Sequence, residues 1–262
     1  MGRSGRTALV TGASAGLGRE FARLAARDGH DLVLVARRRD RLQELARELE
    51  AAHGITATVV DADLSDRGAP RAIVERGLSA GLSIDFLINN AGFGSHGSFA
   101  ESDFARQAEM VDVNIRALME LTHRLLPSML ARKSGRILNV ASLAGFVPGP
   151  YLATYYASKA FVLSFSEALA AELRGTGVTV TASCPGPTQT EFGTVAGSRR
   201  STRFRARSAD AASVALHGYR AMLAGQVVAI PGLANKLTAQ AARFTPRALV
   251  RRAAARVNKP KE

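Results

Sequence analysis

Two rhythms of apolar and polar positions alternate along the chain. Seven short apolar runs read as strands: Thr7–Val10, Asp31–Ala36, Thr56–Val60, Ile84–Asn89, Arg136–Val140, Val178–Ser183 and Val227–Ile230. Longer segments between them repeat their apolar residues at helical spacing. Leu17–Asp28 and Asp40–His53 are two of these. In the second, Leu42, Leu45, Ala46 and Leu49 fall on one face, with Arg and Glu on the other. Ser102–Met129 and Tyr155–Gly175 predict longer helices, with Pro127 near the end of the first. Strands separated by helices imply right-handed crossovers. The expected fold is therefore α/β: a Rossmann-type, doubly wound, seven-stranded parallel sheet with helices on both faces. No short-period repeat and no low-complexity linker interrupts the pattern, so residues 1–262 are expected to form a single domain.

The rhythm fails after Pro185. Thr188–Arg207 is rich in Gly, Ser, Thr and Arg and has no strand pattern. Connections this long are usually functional lids or disordered. The span 188–222 is read as a substrate lid. Helical spacing returns after Gly232, through Leu233, Leu237, Ala241 and Phe244, and 232–262 is read as a basic C-terminal extension.

Composition narrows the options. Of 262 residues, 47% are hydrophobic and 22% charged, which suits a buried core and excludes wholesale disorder. The net charge of +13 invites a nucleic-acid or membrane reading. Its location argues otherwise. The excess sits at Arg3 and Arg6, in the arginines from Arg199 to Arg207, and in the basic run from Arg243 onward. The remainder is neutral, so no nucleic-acid partner is expected. The tail carries Leu249, Val250 and Val257 among its cations. Its large apolar residues are few, so a soluble surface helix is favoured over contact with an anionic membrane. The lone Cys184 allows no intrachain disulfide and reads as a small buried residue. His30, His53, His96, His123 and His217 are scattered without ligand spacing, so no metal is expected. With no run near the ~18 apolar residues of a membrane span and no visible signal peptide, a cytoplasmic location is expected.

Two stretches carry candidate chemistry. The first strand runs into Thr11-Gly12-Ala13-Ser14-Ala15-Gly16-Leu17-Gly18 and then a helix. Glycines let the backbone approach a pyrophosphate, and a helix N-terminus offers free N–H groups to it. The end of the second strand selects the dinucleotide. A carboxylate there would bind the ribose 2′-hydroxyl of NAD; this chain has Ala36 followed by Arg37, Arg38 and Arg39. Guanidinium groups suit a 2′-phosphate, which favours NADP(H) over NAD(H), although a solvated basic turn would look the same. Farther on, Tyr155 and Lys159 lie four apart at the start of a predicted helix and share a face. A nearby ammonium favours phenolate, and a tyrosine so tuned can exchange a proton with a carbonyl oxygen or an alcohol. Ser142, at a parallel strand's end, can hold the same oxygen. Tyr156, at the wrong spacing, is read as packing. Phe93, Phe146, Val147, Pro148, Leu152 and Phe192 can wall an apolar pocket or belong to the core.

Taken in order, the glycine motif, Asn89-Asn90-Ala91-Gly92, Asn114, Ser142, Tyr155-Tyr156-Ala157-Ser158-Lys159 and Pro185-Gly186 resemble the short-chain dehydrogenase/reductase family. The resemblance spans Thr7 to Ile230. It implies that Tyr155 is the acid/base, that Lys159 tunes it and binds the nicotinamide ribose, and that Ser142 positions the substrate oxygen. It implies that Asn114 holds a water linking Lys159 to solvent. Gly12, Ser14, Ala15, Gly16, Leu17 and Gly18 would hold the pyrophosphate. Asn90, Ala91 and Gly92 would line the adenosine half, with Asp63 against the adenine. Pro185, Gly186, Thr188 and Thr190 would meet the nicotinamide. The implied activity is hydride exchange between a nicotinamide and a small-molecule carbonyl or alcohol. Two alternatives stand beside it: a 3-oxoacyl thioester reductase, drawn from the basic lid, and a non-catalytic nucleotide-sensing or nucleic-acid-binding protein. Two positions depart from the pattern. Ala15 stands where many NADPH-preferring members carry a basic residue. The chain also continues well past its seventh strand, which argues against the usual tetramer and leaves a homodimer expected through the two long helices.

Overall fold

Residues 5–79, 81–197 and 208–259 are described in the structure, a computed structural model. Seven strands form one sheet: β1 Thr7–Thr11, β2 Asp31–Ala36, β3 Ala57–Asp61, β4 Ile84–Asn89, β5 Gly135–Val140, β6 Val178–Ser183 and the short β7 Val228–Ala229. Every pairing is parallel, and the order across the sheet is β3-β2-β1-β4-β5-β6-β7. Each strand matches its sequence expectation to within a residue or two.

Apolar runs form these strands because both faces of the sheet are buried. Alternate residues go to opposite sides. Ala8, Val10, Leu32, Leu34, Phe86, Ile88, Leu138 and Val140 face one core layer. Leu9, Val33, Val35, Leu87, Ile137 and Val180 face the other. The first layer is closed by α1 (Gly16–Arg27), α2 (Arg39–His53) and α8 (Ala211–Leu223), through Phe21, Leu42, Leu45, Leu49, Tyr219 and Met222. The second is closed by α3 (Ala69–Ser79), α4 (Phe104–Val111), α5 (Leu118–Ala131) and α6 (Ala153–Glu172), through Ile73, Met110, Leu121, Leu125 and Leu169.

Two expectations change here. The helix expected over Ser102–Met129 is interrupted by a π-helical segment, Asp112–Ala117, between α4 and α5. The buried Met110, Val113, Ala117 and Leu121 keep three- and four-residue steps through it, so apolar spacing does not mark the change. Within the span 188–222 read as a lid, Ala211–Leu223 is a core helix, with Val214, Ala215, Gly218, Tyr219 and Met222 buried. Of the remainder, the described part is 188–197 with the short α7 (Phe192–Val195), and the arginines Arg199, Arg200, Arg203, Arg205 and Arg207 lie outside the described residues. The segment after Gly232 forms two helices, α9 (Leu233–Phe244) and α10 (Arg247–Asn258), parted at Thr245-Pro246.

A buried polar ladder crosses the sheet below its carboxyl edge. Asn89 Nδ2 donates to Asn139 Oδ1 at 2.9 Å and to Thr122 Oγ1 at 3.1 Å, and Asn139 Nδ2 donates to Ser166 Oγ at 2.9 Å. Asn89 and Asn139 are register partners on β4 and β5, and the ladder ties that pair to α5 and α6.

Candidate active site

The strand order reverses between β1 and β4, and the carboxyl ends of the strands at such a switch point are where α/β sheets take ligands. The glycine motif follows β1 at this point. Gly12 and Gly16 adopt positive φ (67° and 54°), a conformation that costs a side chain strain. Gly18 has no room for a Cβ, which would strike the Gly12 carbonyl and lie 2.5 Å from Asn90 Nδ2. Thr11, a motif residue to which spacing alone assigns no role, ties this turn to the β4 loop. Its Oγ1 accepts from the backbone N–H groups of Asn90 and Ala91, each at 3.0 Å. Asn90 Nδ2 in turn donates to the Thr11 carbonyl at 2.9 Å. No side chain caps the start of α1, where Ala15 is the N-cap. The first N–H groups of that helix therefore have no capping side chain as acceptor, as an anion site requires.

Arg38 reaches this turn. Its Nη2 and Nε donate to Ser14 Oγ at 3.2 and 3.3 Å. Its Nη1 meets Glu191 Oε2 at 2.8 Å, and Arg41 Nη1 meets Glu191 Oε1 at 2.7 Å. Hydrogen bonds from Arg41 and Arg38 hold the Glu191 carboxyl below its ordinary range. Glu191 had no signal in the sequence, because its partners are 150 and 153 positions away. Arg37 lies 3.5 Å from both Asp63 and Glu109. Burial alone would raise the Asp63 carboxyl; hydrogen bonds from Ser65, aided by Arg37, outweigh it and lower it instead. Arg39 pairs with Asp61 at 3.6 Å and belongs to the outer rim.

At the other end, α6 begins after Leu152 and carries Tyr155 and Lys159 on one face. Lys159 Nζ lies 5.9 Å from the Tyr155 ring centroid. It is buried and donates to the Val140 carbonyl at 2.7 Å. Burial pulls its pKa down from 10.5 to about 8. Gly92 lies against it: a Cβ there would come within 3.0 Å of Asn114 Oδ1 and 3.5 Å of Lys159 Nζ. Asn114 sits in the π-helical segment. Its Oδ1 accepts from Phe93 N–H at 3.1 Å, and its Nδ2 donates to the Phe93 carbonyl and to Ser158 Oγ, both at 3.0 Å. Both amide hydrogens are thus engaged, which fastens the β4 loop to α6 beside Lys159. Ser142 caps a 3₁₀ turn, Leu143–Phe146: its Oγ accepts from Ala144 N–H at 3.1 Å and donates to the Pro185 carbonyl at 3.4 Å.

The apolar candidates divide. Phe192 packs on Tyr155 with ring centroids 5.1 Å apart. Phe93 and Leu152 are buried, and Phe146 packs into the core around Cys184. Burial raises the Cys184 thiol to about 12, so it stays protonated near neutral pH and is no nucleophile. Gly186 packs against Asn235 of α9, and Thr190 lies over Gly16. Thr188 bridges to Ala209. Tyr156 does more than pack: its hydroxyl accepts from Asn258 Nδ2 at 3.1 Å.

The model of the short chain dehydrogenase family matches residues 6–200. The chain belongs to the short-chain dehydrogenase family. It is similar to ketoacyl reductase HetN of Nostoc sp., with 40% identity over 183 residues, 70% of this chain and 63% of that protein. The matches to the first curated relatives span only about half to two-thirds of those relatives' length. Among solved structures it resembles a short-chain dehydrogenase from Sphingobium yanoikuyae in complex with NADPH, with a TM-score of 0.82, 33% identity, and coverage of 91% of this chain and 93% of that one. It also resembles a family member from Burkholderia phymatum in complex with NAD, with a TM-score of 0.81, 27% identity, and coverage of 90% and 92%. Among the described residues, no helix is long and apolar enough to cross a membrane and no group of three or more His, Cys, Asp or Glu could hold a metal.

Proposed function

We propose that this short-chain dehydrogenase is an NADP(H)-dependent oxidoreductase that interconverts a carbonyl compound and its alcohol. One observation carries the reading: Lys159 is buried beneath Tyr155, its ammonium held on the Val140 carbonyl. A buried cation next to a phenol favours the phenolate and so prepares the hydroxyl to give or take a proton near neutral pH. Tyr155 donates that proton to the carbonyl oxygen in reduction and removes it from the alcohol in oxidation. Ser142 Oγ, fixed by its two neighbours, orients the same oxygen. Asn114 holds the Gly92–Phe93 loop against Lys159. A bound nicotinamide would supply or accept the hydride. Gly12 to Gly18, Asn90 to Gly92, and Pro185, Gly186, Thr188 and Thr190 fit its pyrophosphate, adenosine and nicotinamide parts, with Asp63 near the adenine.

The preference for the phosphorylated cofactor is supported by Arg38 and Ser14, which offer a guanidinium and a hydroxyl 3.2 Å apart at the turn where a 2′-phosphate would lie. The NADPH complex of the Sphingobium relative agrees with it, although the Burkholderia relative binds NAD. The test is a panel of ketones, aldehydes and acyl thioesters followed by NADPH absorbance, with NADH alongside. Replacing Tyr155 with Phe should abolish turnover of every accepted substrate while leaving NADPH binding intact. Turnover near wild type in that variant would refute the mechanism. A 3-oxoacyl thioester is the substrate class favoured next, on the name of a relative in Laccaria bicolor, very-long-chain 3-oxoacyl-CoA reductase, with 39% identity over 184 residues. For such substrates, added salt and loss of Arg199, Arg200 and Arg203 should slow thioesters and spare neutral ketones. A homodimer through α4, α5 and α6 is part of the same proposal.

A further inference from the structure

The two C-terminal helices carry an exposed surface that the reaction does not use. Leu233, Leu237 and Phe244 on α9 are 73%, 61% and 86% exposed. At about 100° per residue these three fall within roughly 40° of one another. Ala239, the buried residue of α9, lies on the opposite side. On α10, Leu249 and Val257 are likewise exposed. Cations are interleaved with these side chains: seven Lys and Arg lie from Lys236 to Lys259, and no Asp or Glu occurs anywhere from Ala211 to Lys261. None of the seven makes an ion pair among the described residues.

The surface is also held in place. Asn258, at the end of α10, is buried. Its side chain bonds the Tyr156 hydroxyl, and its carbonyl accepts from His96 Nε2 at 2.6 Å. Arg256 and Leu249 lie roughly opposite Asn258 around that helix. Pinning Asn258 to Tyr156, the neighbour of Tyr155 in sequence, therefore turns Arg252, Arg256 and Leu249 outward.

We propose that α9 and α10 form a docking face for an anionic lipid bilayer. The chemistry selects this occupant. Single large apolar side chains spaced among arginines suit the interfacial zone, where apolar tips enter hydrocarbon and guanidinium groups meet lipid phosphates. A second copy of the chain would instead set one acid-free basic face against another. The structure thus reverses the weight given to the tail by its sequence. Its large side chains are few, but nearly all of them point away from the body.

The test uses the full chain with sedimented vesicles. Phosphatidylcholine vesicles containing about three-tenths phosphatidylglycerol should bind it, pure phosphatidylcholine should bind it far less, and added salt should release it. Arg252→Gln with Arg256→Gln should weaken binding about thirty-fold, taking ~1 kcal/mol per cation near the surface. Leu237→Ser with Phe244→Ser should weaken it as well. All four residues are exposed, and NADPH fluorescence titration checks that each variant is folded. Failure of the wild type to bind anionic vesicles would overturn the proposal. So would unchanged binding in both double variants. Sedimentation velocity identifies the rival occupant: loss of a dimer in the apolar variant, with no vesicle binding by the wild type, would assign the face to a second copy.

Discussion

Replacing Lys159 with Met should make the protein more stable and less active. Lys159 is buried, with its pKa lowered from 10.5 to about 8 by loss of solvent. Each unit corresponds to 1.36 kcal/mol, so keeping the ammonium charged in the folded state costs about 3 kcal/mol at neutral pH. Below about pH 8 the lysine is charged in both states, and the whole cost is borne. Between about 8 and 10.5 the folded protein gives up its proton first. The unfolded chain then binds more protons, and stability rises with pH. Above that window both states are neutral and the cost is gone. Methionine has a similar length and no charge, so Lys159→Met should gain up to about 3 kcal/mol at pH 7, and the advantage should shrink through the same window. Urea unfolding followed by circular dichroism, at matched protein concentration and at several pH values, measures both effects. Cys184 is present in both proteins, so its own titration largely cancels. Carbonyl reduction by the variant should fall sharply, because the cation that favours the Tyr155 phenolate is lost. A variant no more stable than wild type at pH 7, or an advantage that does not shrink above pH 8, would refute the burial argument.

Other changes test the cofactor end. Arg38→Ala should raise the KM for NADPH roughly tenfold to a hundredfold and leave that for NADH nearly unchanged, since a charge-assisted hydrogen bond is worth about 1.5–3 kcal/mol; steady-state kinetics with both cofactors checks it. Glu191→Gln should tighten NADPH binding by about 1.5- to 5-fold, because an exposed ion pair of about 0.2–1 kcal/mol no longer competes for Arg38; fluorescence titration reads the change. Gly18→Ala should abolish binding of both cofactors in the same titration, as its Cβ has no space beside the Gly12 carbonyl and Asn90.

The sheet was readable from the sequence because parallel strands buried on both faces are nearly continuous apolar runs, and glycine or polar breaks mark their ends. Residues near one another in the sequence, such as Tyr155 and Lys159 one helical turn apart, could be placed together from spacing alone. What periodicity could not give was contact between distant side chains. Glu191 on Arg38 joins positions 153 apart, and Asn258 on Tyr156 joins positions 102 apart. Both are polar contacts made by loop or terminal residues with no period of their own. The π-helical segment around Asn114 escaped for a different reason: the buried residues before, within and after it keep ordinary three- and four-residue steps. The last helix of the expected lid was hidden by the Gly, Ser and Arg before it, although Val214, Ala215, Tyr219 and Met222 do mark a core face.

The Asn89–Asn139 ladder also bears on how the sheet assembles. In a sheet built of similar Val, Ile and Leu runs, neighbouring strands can pair one residue out of step at little apolar cost. Two amides that meet only when β4 and β5 are aligned make that error expensive. A slip of one residue turns an asparagine toward the opposite core layer, where each stranded polar group costs about 1–3 kcal/mol. The ladder thus makes the aligned sheet the cheaper register, and the loops at its carboxyl edge inherit that alignment.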